Sequence, residues 1–329
     1  MPVEAKPLFR PDVLRPHLQA FKWPENIDKT KAALTRWGNM LATGRADKFK
    51  EQELLPDFLT EIFCEALGYT RPADHPERFT ISREKHVQID GKFADAVLGD
   101  FQANQERFVV ALEGKGPTDP LDRPYSGRKM SAVDQGYRYA INLPCDWIIV
   151  TSMRQTRLYF KGADQYTYER FDTERLATDD SLLKRFLFLL GAERVVPEKG
   201  DCHLFGLLTS SEKVGKELTK EFYFRYAEMR QNAFEQLCSE NPDSSRDALL
   251  TATQKLLDRV LFCAFCEDRG LLPANTIQHA YEHRDPYQPK PIWENFRGLF
   301  RAIDTGNAGL NIPAYNGGLF AHDKALDDL

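Results

Sequence analysis

The sequence predicts an α/β sandwich built around one mixed sheet and followed by an all-helical part. Three observations predict it. Helical periodicity dominates from residue 26 to residue 67, and short β-rich runs interrupted by a single helical segment fill 80–162. After residue 200 the strand signals stop and long helical repeats take over.

Taken in order, residues 1–25 are punctuated by Pro2, Pro7, Pro11, Pro16 and Pro24 and read as an arm on the surface. A first helix is expected from Asn26 to Ala42. A second, over 48–67, spaces Leu55, Phe58, Ile62 and Ala66 by three and four residues and ends at Gly68, a residue suited to a left-handed cap. The runs TISREKHVQI, KFADAVLGDF and ERFVVALEGK read as three strands, with Gly91, Gly99 and Asn104 as hairpin-like turns. A helix SAVDQGYRYAINL runs into Pro144, and the strands DWIIVTS and TRLYFKG follow. Pro197, Gly200 and Gly206 mark a boundary at 196–206. Beyond it, Val214, Leu218, Phe222, Tyr226, Met229, Ala233 and Leu237 form the stripe of a long amphipathic helix over 211–238, and 246–268 forms another. The expected organisation is an arm and helix over 1–45, a domain over 46–196 and a helical connector over 206–329.

With 329 residues, 42% hydrophobic and 28% charged, the chain can bury one large core or two ordinary ones. A net charge of -5 excludes coating nucleic acid by bulk electrostatics, so any DNA contact needs a local patch of lysine and arginine. No run reaches the about 18 apolar residues of a membrane span, and the N-terminus lacks a signal-peptide core, which points to the cytoplasm. The six cysteines lack framework spacing, as reduced thiols do. Cys263-Ala-Phe-Cys266 lies in the apolar stretch LLDRVLFCAFCED and reads as a pair of core thiols rather than zinc ligands.

The chemistry concentrates on two neighbouring strands. Asp95 lies in KFADAVLGD, and Glu113 and Lys115 close VVALEGKG. Strand residues two apart share a face, so Glu113 and Lys115 project together, and pairing through 99–106 would bring Asp95 to the same sheet end. Magnesium takes one or two carboxylates and completes its shell with water and phosphate oxygens. A neighbouring lysine can orient a nucleophile or stabilise charge on phosphorus. Taken alone, ExK also finishes many strands as a solvated cap. Farther on, Gln135 and Tyr139 share one helix face. Gln135 can reach the surroundings of Lys115 or DNA; Tyr139 can stack, bond a phosphate, or pack in the core. The loop PTDPLDRPYSGRKM concentrates Arg123, Arg128 and Lys129 beside Tyr125, an arrangement suited to phosphates, with Asp119 and Asp122 diluting its charge.

Together these residues resemble the PD-(D/E)XK nuclease superfamily, in the branch found in restriction-modification enzymes. The resemblance rests on Asp95, Glu113-Gly-Lys115 with Gly-Pro following, Gln135-x-x-x-Tyr139, and DWIIVTS with TRLYF after it, over residues 45–190. It implies a restriction-endonuclease-like mixed sheet flanked by helices. It also implies Asp95 and Glu113 as ligands of Mg²⁺ or Mn²⁺, Lys115 in catalysis, and Gln135 and Tyr139 assisting the site or DNA. The family places an acidic residue on its first helix, where Glu51, Glu61 and Glu65 compete. Glu51 continues the buried stripe and is favoured as a metal or water ligand, although the helix dipole alone also favours a glutamate in a first turn. Glu61 and Glu65 lie off the stripe and read as solvated.

CEDRGLLP and IPAYNGGLF resemble segments ahead of the methyltransferase domain in single-chain, type IIG-like restriction-modification enzymes. Such a domain would bind S-adenosylmethionine through a glycine-rich loop and carry an NPPY-type motif. Neither is found: Asn241-Pro242-Asp243 reads as a helix-end turn, and Asn316 with Gly317-Gly318 is a turn signal. The expectation is a fragment or natural truncation of a longer prokaryotic protein. Its expected activity is cleavage of double-stranded DNA, with dimerisation on DNA for double-strand cuts. Two alternatives stay open, a repair or recombination nuclease and a DNA-binding scaffold that keeps the fold without catalysis.

Overall fold

The computed structural model describes residues 5–86, 93–125, 127–315 and 317–327. It divides into two compact units, Met1–Lys216 and Glu217–Leu329.

In the first unit, helices α1 (Pro11–Ala20) and α2 (Ile27–Ala42) precede a 3₁₀ turn at Ala46–Lys48 and helix α3 (Glu51–Phe58). Helix α3 continues as a π-helical stretch, Leu59–Ala66, and stops at Gly68 with φ +82°, the left-handed cap its sequence predicts. Strands β1 (Arg78–His86), β2 (Phe93–Gln102) and β3 (Gln105–Gly114) form an antiparallel meander. Helix α4 (Ala132–Asn142), capped by Ser131 accepting from the Asp134 amide, crosses to β4 (Trp147–Thr151), which pairs parallel to β3. Strands β5 (Gln155–Phe160) and β6 (Tyr168–Asp172) complete a six-stranded sheet in chain order. Short α5 (Thr173–Leu176), α6 (Asp180–Leu190) and α7 (Ala192–Val195) lead to α8 (His203–Glu240).

The sheet is buried on both faces. Ala96, Leu98, Val110, Leu112, Ile149 and Leu158 pack with Leu34 and Trp37 of α2, Leu55 and Phe58 of α3, and Phe186 of α6. Val97, Ala111, Ile148, Val150 and Tyr159 pack with Val133, Tyr139 and Ala140 of α4. This two-sided burial explains why β3 and β4 read as continuous apolar runs.

Several expectations change. From residue 5 on, the proline-rich arm is more than a surface wrap: Pro11 stands at the start of α1, where its missing N–H costs nothing, and Lys6 pairs with the edge of β6 through the Tyr166 carbonyl at 2.8 Å. That pairing shields a strand edge. Strand β6 escaped the sequence reading because three of the five residues of YERFD are charged, without clean alternation, and one of them is the buried Glu169. Glu169 accepts from the Phe9 amide at 3.1 Å and pairs with Arg185, tying arm, sheet and α6 together. Gly99 is no turn; it lies inside β2, where the register with β3 shifts, and a Cβ there would collide with the Arg107 carbonyl oxygen. The turn is Ala103-Asn104, between paired Gln102 and Gln105. Gly91 and Asn316, expected in turns, lie outside the described residues.

The division into units falls after Lys216, within α8, and Gly206, read from the sequence as part of the join, is a helical residue of α8. In the second unit, the rest of α8 is joined by α9 (Arg246–Asp268), α10 (Thr276–Glu282), α11 (Ile292–Thr305) and α12 (Lys324–Asp327). Their core holds Cys263, Cys266, Leu272, Leu299, Phe300, Ile303 and Phe320. Fully buried Arg259 donates to the Leu319 and Ala321 carbonyls and pairs with Asp327 at 2.8 Å. The expected α8 stripe is not wholly buried: Leu218, Phe222 and Met229 are exposed. Among the described residues, no helix is long and apolar enough to cross a membrane.

Gly136 sets how closely α4 approaches the sheet. A Cβ at this position would lie 2.8 Å from Ile148 Cγ2 and 3.1 Å from Val150 Cγ2. Gly136→Ala should therefore destabilise the fold by about 1–3 kcal/mol through overpacking, as read from urea unfolding midpoints; an unchanged midpoint would contradict this packing.

Candidate functional site

The antiparallel register pairs Ala96 with Leu112 and Val97 with Ala111. One step past Ala96 and Leu112, Asp95 faces Glu113 across the two strands, on the α4 side of the sheet. Lys115 follows two residues on, its amide donating to the Thr151 carbonyl of β4 at 2.7 Å. Its ammonium pairs with Glu113 Oε1. Asp95 is half-buried and accepts from the Gly114 amide through Oδ2 at 2.8 Å. Glu113 is only 2% exposed and Lys115 6%.

A carboxylate so placed is electrostatically costly. Burial pushes the Glu113 carboxyl up to about 8; the Asp95 charge adds to the shift, Lys115 opposes it, and Glu51 contributes further. Glu51 opens α3, on the first residue of the helix. Its carboxyl is raised by burial, lowered by Lys115, and raised again by Asp95 and Asp119, which places it in the same electrostatic cluster. The other two first-helix glutamates go elsewhere. Glu61 accepts from Trp37 Nε1 at 2.8 Å and from Arg36 at 2.7 Å, so it is a tether rather than a solvated residue, and Glu65 is exposed.

Tyr139 is buried within the α4 core, its hydroxyl pushed up first by burial and then by Glu113 and Asp95. It stands behind the carboxylates rather than on an open surface. Gln135 is half-buried and reaches the Met130 carbonyl at 3.5 Å, at the helix entrance.

The loop after β3 is held at several points. Asp122 binds both guanidinium nitrogens of buried Arg157, one at 3.0 Å, and Arg128 pairs with Asp119 at 3.0 Å. These aspartates are fasteners, which counting charges along the loop does not reveal. Arg123 and Lys129 are exposed. Arg154, not singled out from the sequence, donates to the Pro117 carbonyl at 3.4 Å, the Leu41 carbonyl at 3.2 Å and Asp47 at 2.9 Å, and pairs with Glu174. It ties the loop to the end of α2. Asp119 was likewise missed as a member of the site; its only signal was its place four residues after Lys115.

The donors suit a hard divalent cation, because a buried carboxyl crowded by like charges gains from a cation beside it. Among the described residues, however, no group of three or more His, Cys, Asp or Glu side chains is gathered to hold a metal ion. The trio Glu51, Asp95 and Glu113 is therefore not a preformed cage. The residues fit magnesium held by two carboxylates, with water and phosphate oxygens completing the shell. Cys263 and Cys266 with His279 and His283 have the spacing of a Cys₂His₂ zinc site. The fold keeps both thiols in the core of the second unit and does not gather the four.

Residues 251–320 match the family model of the MmeI helicase spacer domain. The match covers most of α9, all of α10 and α11, and the segment after them. It supports the helical part as a connector of a type IIG-like restriction-modification enzyme. No curated protein and no solved structure matches the chain.

Because the folded-state Glu113 carboxyl is raised, it favours the native state at low pH and opposes it as pH climbs above the ordinary carboxylate range towards about 8. Asp95→Asn removes one cause of that shift. The Tm of Asp95→Asn minus that of the parent should become more positive from about pH 5 to about pH 8; a pH-independent difference would refute the coupling. Separately, Glu61→Ala should cost about 1–3 kcal/mol by leaving Trp37 Nε1 without its acceptor, whereas Glu51→Gln should leave the urea midpoint at pH 7 at or above that of the parent.

Proposed function

We propose that this chain is a metal-dependent endonuclease that hydrolyses phosphodiester bonds of double-stranded DNA, the cutting module of a restriction-modification enzyme. One observation carries the reading: Asp95, Glu113 and Lys115 converge at one end of the sheet, with Glu51 in the same electrostatic cluster. The element order supports it, since helix α3, three antiparallel strands, helix α4 and a parallel fourth strand form the core that the PD-(D/E)XK resemblance implies. The spacer-domain match over 251–320 supports the restriction-modification context.

In this reading Asp95 and Glu113 hold Mg²⁺, or Mn²⁺ in its place. When bound, the cation supplies an activated water and neutralises charge on the phosphate. Lys115 leaves Glu113 and turns its ammonium to the attacking water or the phosphate oxygens. Tyr139 orients the Glu113 carboxylate from behind, and Gln135 lines the entrance. Arg123, Arg128 and Lys129 meet the DNA backbone, and two copies meet on DNA for a double-strand cut. In an enzyme of that kind S-adenosylmethionine would serve methyl transfer and would take no part in this cleavage.

Supercoiled plasmid should be nicked in Mg²⁺ or Mn²⁺ and left intact in EDTA. Lys115→Ala and Asp95→Ala should each slow nicking by at least about 10²-fold with circular dichroism unchanged. Undiminished nicking in both would sink the assignment. A second reading, a DNA-binding scaffold without catalysis, is favoured by the buried Lys115–Glu113 pair, in which the ammonium stands where a cation would bind. It requires plasmid binding that is indifferent to divalent cations, with no nicking.

A further inference from the structure

We propose that Arg128 is a phosphate clamp directed at the Asp95–Glu113 site, and that Asp119 is the positioning residue that aims it. The inference rests on the nuclease reading above and gives Arg128 a duty distinct from that of the loop's other cations.

The loop's basic side chains are not equivalent. Arg123 and Lys129 are exposed and free to follow a DNA backbone. Arg128 is only 20% exposed, beside an Asp119 that is 17% exposed. Its backbone amide and its Nε both donate to the Tyr125 carbonyl, at 3.1 and 3.2 Å, so the side chain is braced from its own loop. Asp119 is braced in turn by its amide, which donates to the Gly116 carbonyl at 3.0 Å in a turn directly after Lys115.

That turn lies against the candidate site. A Cβ on Gly116 would stand 3.6 Å from Asp119 Oδ1 and 3.9 Å from Glu51 Cβ, so Gly116 is the gap between the two acidic residues. Arg128, 3.0 Å from Asp119 Oδ2, therefore stands beside the same gap.

The pair is also incompletely satisfied. Arg128 Nη2 lies 3.0 Å from Asp119 Oδ2, yet the atom is enclosed and makes no directed hydrogen bond among the described residues. A buried donor without an aligned acceptor costs free energy, and with Nε given to the Tyr125 carbonyl the two Nη groups form the end of the planar fork, which matches two phosphate oxygens. A phosphate seated at the carboxylate end of the sheet would satisfy that fork. Asp119 keeps the fork over the site when no phosphate is there.

The test uses the full chain, supercoiled plasmid and Mn²⁺, reading single-turnover nicking and plasmid affinity for Arg128→Ala, Arg128→Lys, Asp119→Asn, the Asp119→Asn/Arg128→Ala double variant and Lys115→Ala. Arg128→Ala should slow nicking by about 10²-fold while affinity stays within about threefold, with Arg128→Lys recovering part of the rate. Asp119→Asn should slow nicking by about tenfold, and the double variant should be no slower than Arg128→Ala, because Asp119 acts through Arg128. Independent, multiplying effects of Asp119→Asn and Arg128→Ala would overturn the positioning role. If Lys115→Ala abolishes nicking while Arg128→Ala nicks within about threefold of the parent, the clamp alone falls. A parent that does not nick, or a Lys115→Ala variant that nicks as the parent does, overturns the nuclease reading and the clamp with it.

Discussion

The architecture around the site depends on keeping the Glu113 carboxylate out of water, opposite a second carboxylate, with one ammonium beside it. In isolation that arrangement is unfavourable, and removing one partner of a buried ion pair costs about 3–5 kcal/mol. It persists because the backbone leaves no alternative. Glu113 is bound into a strand flanked by β2 and β4, and Gly114 offers its amide to Asp95. On the other face, Leu55 closes so tightly over Gly114 that a Cβ there would come within 2.5 Å of it. The strain is electrostatic, and a divalent cation or a bound phosphate group would change it most.

The sheet makes this placement rigid. Its central parallel pair, β3 and β4, is covered by α4 on one face and by α2, α3 and α6 on the other, so the end of β3 has little freedom to shift. Around that end, Arg154 and Arg157 each fasten part of the post-strand loop to a different neighbour, and Arg128 closes the loop on its own Asp119. Arginine suits the task because one planar group reaches several acceptors at once. The same device recurs on β6, where Arg185 and the Phe9 amide share Glu169.

The helical unit solves a comparable problem with fewer charges. Arg259 is fully buried, yet its three nitrogens reach two carbonyls and Asp327, and its guanidinium lies 5.2 Å from the Phe300 ring centre. This network draws the chain around 319–327 back onto α9, and the matched spacer segment 251–320 ends within it. The exposed Leu218, Phe222 and Met229 show that period alone does not decide which face of a helix is covered. Coverage depends on what the rest of the fold brings against the stripe.

Local rules were enough to place most elements. The segment SAVDQGYRYAINL running into Pro144 marked α4, and α9 spans 246–268 as its periodicity predicted. The spacing of Glu113 and Lys115 put both on one strand face. What the sequence could not express are contacts between residues far apart in the chain. Glu61 could not be told from a solvated glutamate until Trp37 was brought beside it, and Asp119 and Asp122 looked like diluting charges until Arg128 and Arg157 were placed. Strand β6 and the pairing of Lys6 were invisible because each exists only through the other's edge and the buried Glu169. By itself the sequence determined the sheet-and-helix plan and the Asp95, Glu113 and Lys115 trio, since these follow from periods of two and 3.6 residues. The tertiary structure alone decided which charges are buried and paired, because desolvation and Coulomb energies depend on distance in space rather than on separation along the chain.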